Sequence, residues 1–154
     1  MSLGSDYAAI QRLIYRHGHI FDYGKWEEYL QLYRHAEWYN PGAPPLSAQG
    51  LLDNFRRMIV MHDGSPRTHH LMHNPLIDVA PDGRTASATT TVQVLQSVPP
   101  AFPMQTILVG HYKDEFAKDE GGEWHFTKRE THPIFWGDVS QHAKATSGGY
   151  GLDQ

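Results

Sequence analysis

Residues 67–98 read RTHHLMHNPLIDVAPDGRTASATTTVQVLQSV and carry the clearest structural signal in the chain. Segments 67–79 and 85–98 are rich in Thr, Val and Ile, which favour strands. Between them, residues 80–83 read Ala-Pro-Asp-Gly, a strong turn signal. The stretch therefore predicts a long β-hairpin.

Two more strands are predicted after this hairpin. Residues 99–103 contain three prolines and interrupt the chain. A strand is predicted over 104–117, a turn at 119–122 (Asp-Glu-Gly-Gly), and a last strand over 123–134.

Before the hairpin, hydrophobic residues recur every three or four positions, which is the spacing of amphipathic helices. A helix is predicted over 6–23, because the residues at i, i+4, i+7 and i+11 of one stripe are Ile10, Ile14, His17 and Phe21. This phase puts His17 on the apolar face. A second helix is predicted over 25–33, and a third runs from its cap at Ser47 to residue 62. Between these two helices, a short strand is predicted over 36–40 and a proline-rich loop over 41–45.

The order of helices followed by strands predicts an α+β fold. We expect a cone-shaped barrel, in which a curved antiparallel sheet is closed by about three N-terminal helices around an internal pocket. The predicted domain covers residues 6–137. Residues 138–154 are predicted to be a loose C-terminal tail, because they include the Ser/Gly-rich stretch at 147–149.

Composition narrows the functional classes. The 154 residues suit one domain, and 13 Lys+Arg against 17 Asp+Glu give a net charge of −4, which disfavours a nucleic-acid binder. The chain has no Cys, which excludes disulfides, thiolate zinc sites and thiol nucleophiles. No signal peptide or membrane span is predicted, so the expected location is cytoplasmic. The 11 His residues suggest proton transfer, metal binding or a response to pH.

Three histidines lie close together in the predicted hairpin. Strand alternation places His70 on one face and both His69 and His73 on the other. The cluster suggests either a general base or a metal site. Three ligands divided between two faces do not easily meet one ion, so no metal site is predicted.

Three other residues have both a structural and a functional interpretation. Asp22 lies at the end of the first predicted helix, where it is either a solvated or loop-capping carboxylate or the orienter of a histidine base. Arg129 either forms a surface salt bridge or stabilises developing negative charge. His17 is either a hydrogen-bonded core histidine or part of the site.

Taken together, these residues resemble the SnoaL-like branch of the nuclear-transport-factor-2-like superfamily over about residues 6–135. The resemblance rests on Ala8-Ala9-Ile10-Gln11, Asp22, His70 with Asn74 and Ile77, residues 110–116 (GHYKDEF), Gly122-Glu123-Trp124 and Arg129. Within the branch, the nearest group contains hexachlorocyclohexane dehydrochlorinase and scytalone dehydratase.

The resemblance implies an enzyme that needs no cofactor and eliminates small leaving groups from hydrophobic ring compounds. It makes Asp22 and His70 an acid–base dyad and puts Arg129 at the position of a catalytic arginine. His17 stands where the dehydrochlorinase has an assisting lysine. The expected substrate-binding residues are Tyr23, Tyr39, Asn74, His111 and Tyr112.

The predicted function is thus a cofactor-independent lyase or isomerase that acts on a hydrophobic, aromatic or polycyclic small molecule. The alternatives are a non-catalytic β subunit of a ring-hydroxylating dioxygenase and a ligand-binding protein. Alternation also predicts that Trp124 and Phe126 lie on the face opposite Arg129. Such an exposed aromatic pair predicts a homodimer, with a homotrimer as the alternative.

Overall fold

The structure is a computed structural model that describes residues 3–144. Within this range the chain forms three helices and five strands. Their bounds, in chain order, are α1 (Leu3–Phe21), α2 (Trp26–Leu32), β1 (Glu37–Tyr39), α3 (Ala48–Met58), β2 (Thr68–Val79), β3 (Thr85–Val98), β4 (Phe102–Lys118) and β5 (Trp124–Trp136).

The five strands form one curved sheet in the order β1-β5-β4-β3-β2. All neighbours are antiparallel except β1 and β5, which are parallel. The sheet does not close on itself, and α1 packs against β2 and β5. The predicted α+β fold is thereby confirmed, with the helices completing the enclosure that the sheet leaves open.

Local sequence explains where the helices begin and which face they bury. Ser47 accepts a hydrogen bond from the Gly50 amide at 3.2 Å, as predicted for the cap of α3. The predicted stripe of α1 is buried, and Ile10, Ile14 and His17 are almost fully inaccessible. α1 therefore presents a histidine to the interior of the domain.

A β-bulge in β5 overturns the predicted faces of this strand. Glu115 pairs with Lys128 but Phe116 pairs with Phe126, so Thr127 is an extra residue. The bulge lets Phe126 and Arg129 point to the same side, although three positions separate them. Trp124 and Phe126 are buried in the core, so the prediction of an exposed aromatic pair is wrong, and the expected dimer loses the feature on which it rested.

A second bulge interrupts β2 just beyond the histidine cluster. His73 pairs with Thr91 and Leu76 with Thr89, so β2 has one residue more than β3 over this interval. Asn74 has φ 48, in the left-handed region that Asn tolerates, and it is exposed. The alternation from His70 therefore does not extend to Asn74.

The segment after β5 is not a loose tail over residues 138–144. The Val60 amide donates to the His142 carbonyl at 2.9 Å, and the Lys144 amide donates to the Met58 carbonyl at 2.8 Å. These bonds dock the segment beside the end of α3. Residues 145–154 of the predicted tail lie outside the described residues. No helix in residues 3–144 is long and apolar enough to span a membrane.

Candidate active site

One pocket lies between the helices and the sheet, and its wall is largely apolar. The side chains that line it come from α1, α3, the strands, the loop after β1 and the segment after β5. They include His17, Phe21, Trp38, Asn40, Phe55, His70, His111, Tyr112, Thr131, Trp136 and His142.

Asp22 and His70 form a dyad at the edge of this pocket. Asp22 follows the last residue of α1, and His70 lies near the start of β2. The Asp22 Oδ1 atom lies 2.6 Å from His70 Nδ1, and Asp22 Oδ2 accepts from the His70 backbone N–H at 2.7 Å. Thr68 Oγ1 donates to Oδ1 at 2.8 Å. Three donors therefore fix the carboxylate, and the carboxylate fixes the imidazole.

This arrangement keeps Asp22 ionised. Burial acts to raise the pKa of Asp22, but the hydrogen bonds and charge of His70, together with the Thr68 hydroxyl, outweigh burial and hold that pKa below its usual value. An ionised carboxylate only accepts hydrogen bonds, so His70 carries a proton on Nδ1, and in the neutral form of the ring this is its only N–H. His70 Nε2 is then left as the acceptor, and among the described residues no protein group donates to it.

His69 differs from His70 as strand alternation predicts. Its side chain is 63% exposed, against 6% for His70, and its Nδ1 lies 3.8 Å from Asp22 Oδ2. At that distance it forms no hydrogen bond with the carboxylate. His69 therefore serves as a natural comparison for His70.

His17 is the second histidine of the pocket and is fully enclosed. The hydroxyl groups of Tyr33 and Tyr29 lie 3.0 and 3.1 Å from its Nδ1. Its ring centroid is 5.1 Å from that of His70. Burial, then the charges of Arg129 and His70, lower the pKa of His17 well below its usual value, so this ring is neutral at neutral pH.

Arg129 is not where the predicted role requires it, because it does not line the pocket. Its side chain is completely buried, with Nε and Nη2 each 2.7 Å from the Asp114 carboxylate and Nη1 2.5 Å from the Tyr33 hydroxyl. The guanidinium also lies 4.2 Å from the ring centroid of Tyr112. The bulge at Thr127 turns Arg129 inward, but aromatic side chains separate it from the pocket.

Only two of the five predicted substrate-binding residues line the pocket, namely His111 and Tyr112. Tyr23 is 64% exposed on the outer side of the dyad, and Asn74 is exposed at the bulge in β2. Tyr39 donates to Glu37 at 2.7 Å and stacks against Lys128, away from the pocket. The sequence predicts substrate contacts for these three residues because it does not show the direction of their side chains.

The sequence prediction missed His142, which enters the pocket from the segment after β5. Its Nδ1 is buried without a hydrogen-bond partner among the described residues. Burial, followed by the charge of His70, lowers the pKa of His142 to about 4, so the ring is neutral. Only the high histidine content hinted at this residue, since the stretch that follows it is Ser/Gly-rich.

Asn40 was also missed, because it lies in what reads as a loop before prolines. Its Oδ1 accepts from Trp38 Nε1 and from Thr131 Oγ1, both at 2.9 Å. With the amide oxygen occupied twice, the amide N–H groups of Asn40 are left to donate. Asn40 is thus a fixed hydrogen-bond donor in the pocket wall.

The described residues hold no group of three or more His, Asp or Glu side chains arranged to bind a metal ion. The pocket histidines His17, His70 and His142 each have different polar surroundings. What the geometry offers chemically is one histidine with a carboxylate partner, facing an apolar space.

Comparison with known proteins gives the family of the chain and relatives of its fold. The family described as SnoaL-like domain matches residues 4–130. No curated protein matches the chain. An NTF2-like protein with a cystatin-like fold from Novosphingobium aromaticivorans is 23% identical, with a TM-score of 0.70 over 90% of this chain and 88% of that one.

Two further solved structures carry the names of enzymes. A candidate scytalone dehydratase from N. aromaticivorans is 19% identical, with a TM-score of 0.70 over 97% of this chain and 95% of that one. Hexachlorocyclohexane dehydrochlorinase LinA-type3 from Novosphingobium barchaimii is 18% identical, with a TM-score of 0.67 over 92% and 91%. At these identities the similarity establishes a common fold.

Proposed function

This chain belongs to the SnoaL-like domain family, and on that premise we propose that it is a lyase or isomerase that works without a cofactor. In this proposal His70 removes a proton from a carbon atom of an uncharged, ring-containing small molecule. The observation that carries it is the 2.6 Å contact between Asp22 and His70 at the wall of an apolar pocket. The names of two structural neighbours, a dehydratase and a dehydrochlorinase, belong to the same class of elimination chemistry.

The dyad suits proton abstraction at neutral pH. With the proton of neutral His70 on Nδ1, its Nε2 lone pair accepts the substrate proton. The ring then becomes an imidazolium, which the Asp22 carboxylate stabilises. The low pKa of Asp22 keeps this counter-charge in place throughout the reaction.

The pocket wall supports the class of substrate. No Lys, Arg, Asp or Glu among the described residues lines the pocket, so a charged substrate would lose its hydration without compensation. Aromatic side chains contribute much of the wall, including Phe21, Trp38, Phe55 and Trp136. Such a wall favours a flat or ring-containing molecule.

The proposal is tested by following carbon–hydrogen exchange in D₂O on a panel of benzo-fused cyclic ketones such as 1-indanone and 2-tetralone. The wild-type protein is expected to accelerate exchange next to the carbonyl, and His70→Gln is expected to lose about 10²–10⁴ of that rate, the usual contribution of a general base. His69→Gln is the matched control and should keep the wild-type rate. Binding of a ketone without exchange would instead support a ligand-binding protein.

A further inference from the structure

The buried Arg129 and the pocket histidine His17 are connected through one hydroxyl group. Arg129 Nη1 lies 2.5 Å from Tyr33 Oη, and Tyr33 Oη lies 3.0 Å from His17 Nδ1. The other ring nitrogen, His17 Nε2, lies 3.5 Å from Tyr112 Oη, at the limit of a hydrogen bond. The chain Arg129–Tyr33–His17 thus leads from the sealed core to the pocket.

The direction of these hydrogen bonds follows from the chemistry of the groups. A guanidinium only donates, so the Tyr33 oxygen accepts from Arg129. The hydroxyl hydrogen of Tyr33 is then available to His17 Nδ1. A hydroxyl that accepts from a cation is polarised and becomes a stronger donor, which favours a lone pair rather than a proton on His17 Nδ1.

We propose that Arg129, acting through Tyr33, holds His17 as a neutral imidazole with its proton on Nε2, and that this N–H is a subsite for an uncharged oxygen atom of the substrate. The carbonyl or hydroxyl oxygen of a cyclic substrate is the ligand chemistry that such a donor fits. The subsite rests on the proposed function, since it places the substrate against His70. Arg129 and Tyr33 are positioning residues in this scheme.

The electrostatics of the core agree with a neutral donor. Burial and the charge of Arg129 lower the pKa of His17, so the ring does not become a cation at neutral pH. Asp114 compensates the charge of Arg129 through two 2.7 Å contacts. The pocket therefore offers a substrate oxygen an N–H group rather than a net positive charge, which suits an uncharged acceptor better than a departing anion.

The opposite tautomer is the competing arrangement. If His17 carried its proton on Nδ1, that N–H would donate to a tyrosine oxygen, and Nε2 would be an acceptor towards the pocket. The two forms differ in which nitrogen is pyrrole-like. This difference is measured directly by two-bond proton–nitrogen correlation NMR on protein labelled with ¹⁵N-histidine.

In the wild-type protein we expect a pyridine-like Nδ1 and a pyrrole-like Nε2 for His17 between about pH 6 and 8, assigned by the loss of its signals in His17→Gln. A pyrrole-like Nδ1 overturns the proposal. Tyr33→Phe removes the polarised donor, so it should shift His17 towards a mixture of tautomers, whereas the exposed Tyr23→Phe should not. An unchanged His17 in folded Tyr33→Phe overturns the role of Arg129 and Tyr33.

The subsite itself is tested with 1-indanone and with indane, which has the same rings but no oxygen. At millimolar concentrations 1-indanone should move the His17 Nε2–H resonance and indane should not; an unmoved resonance overturns the subsite. His17→Phe should bind 1-indanone about 3- to 10-fold more weakly, as expected for one lost hydrogen bond. His17→Gln, which retains an N–H donor, should recover part of this loss.

These measurements separate the inference from the proposed function. The tautomer of His17 is observed without turnover, and the wild-type spectrum needs no variant to fold. If the tautomer is as proposed but His70→Gln exchanges ketone protons as fast as the wild-type protein, then the proposed base fails and the positioning of His17 stands. If exchange depends on His70 but His17 has the other tautomer, then only this inference fails.

Discussion

Gly18 lies against His70 so closely that a Cβ atom at position 18 would be 3.0 Å from the His70 carbonyl oxygen and 3.1 Å from the His70 Cβ. The missing side chain lets α1 approach β2 at the point where Asp22 reaches the imidazole. The contact is tighter than ordinary van der Waals packing, and one of the atoms concerned belongs to the backbone of β2. The dyad therefore depends on a glycine that takes no part in its chemistry.

Gly18→Ala is expected to lower both stability and the exchange rate. Ala improves helix propensity by about 1 kcal/mol, but overpacking against β2 costs about 1–3 kcal/mol and displaces α1 from His70. Gly50→Ala is the matched control, because its nearest neighbour would be 3.5 Å away, an ordinary contact. Unfolding by urea and ketone exchange measure the two effects. A Gly18→Ala protein as stable and active as Gly50→Ala would contradict the prediction.

Asp22→Asn is expected to abolish most of the exchange activity and to destabilise the fold. The carboxylate accepts from Thr68, from the His70 backbone and from His70 Nδ1, and an amide cannot accept from all three. A buried donor left unpaired costs about 1–3 kcal/mol. The analogous change in a serine protease costs about 10⁴ in kcat, because the histidine takes the wrong tautomer.

The exposed Asp78 supplies the control for this experiment, since Asp78→Asn lies on the same strand as His70 and should change neither property. Thermal unfolding and ketone exchange are measured on the same preparations. If Asp22→Asn exchanges ketone protons at the wild-type rate, the dyad has no catalytic role. If it is inactive only because it is unfolded at the assay temperature, Asp22 is a structural residue.

Stability is expected to fall as the pH drops below about 6.5, the usual pKa of histidine in an unfolded chain. Burial lowers the pKa of His142 to about 4 in the folded protein, so below pH 6.5 the unfolded state binds the proton first. Protonation of His142 on unfolding should lower the free energy of unfolding by about 3 kcal/mol as the pH falls from 6.5 to about 4. His17, also buried and neutral, acts in the same direction.

Urea unfolding at a series of pH values between about 7.5 and 4.5 checks this dependence. His142→Gln should flatten the slope, because the group that titrates on unfolding is removed. His19→Gln, at an exposed position of α1, should leave the slope as it is. An identical slope in His142→Gln and the wild-type protein would show that His142 is protonated to the same extent in both states.

Arg129→Met is expected to destabilise the protein by about 3–5 kcal/mol, because it leaves the buried Asp114 carboxylate without its partner. Although burial disfavours the guanidinium, Asp114 outweighs burial and raises the pKa of Arg129, while burial raises the pKa of the Asp114 carboxyl against the opposing charge and hydrogen bonds of Arg129. Asp114→Leu combined with Arg129→Met removes both charges and should cost less than the single change. Lys128→Met, whose ion pair with Glu130 is partly exposed, should cost much less than Arg129→Met. A single variant more stable than the double would contradict this account.

The predictable part of the site comes from short-range periodicity. The helical phase of α1 places His17 towards the core, and alternation in β2 separates His70 from His69, whose side chains are 6% and 63% exposed. Both rules hold because no irregularity interrupts these segments. Counting along an uninterrupted helix or strand needs no knowledge of what packs against it.

The errors begin where one residue is inserted into a strand. In β5 the extra residue Thr127 turns Arg129 to the same side as Phe126, and in β2 the bulge leaves Asn74 exposed. Counting back from the turn at 119–122 would have placed Lys128 opposite Asp114, whereas the bulge places Arg129 there. A bulge is stabilised by the curvature and packing of the whole sheet, so the local sequence does not locate it.

The periodicity of the amino-acid sequence thus predicted the α+β fold, and its resemblance to the SnoaL-like branch implied the pairing of Asp22 with His70, because both rest on patterns and motifs spread along the chain. The sequence did not reveal that Arg129 is buried next to Tyr33 and outside the pocket wall. Nor did it reveal that His142 lines the pocket from a segment that was predicted to be a loose tail. Those facts depend on contacts between residues far apart in the chain. Such contacts are chosen by the packing of the folded domain, where side chains distant in sequence compete for the same space.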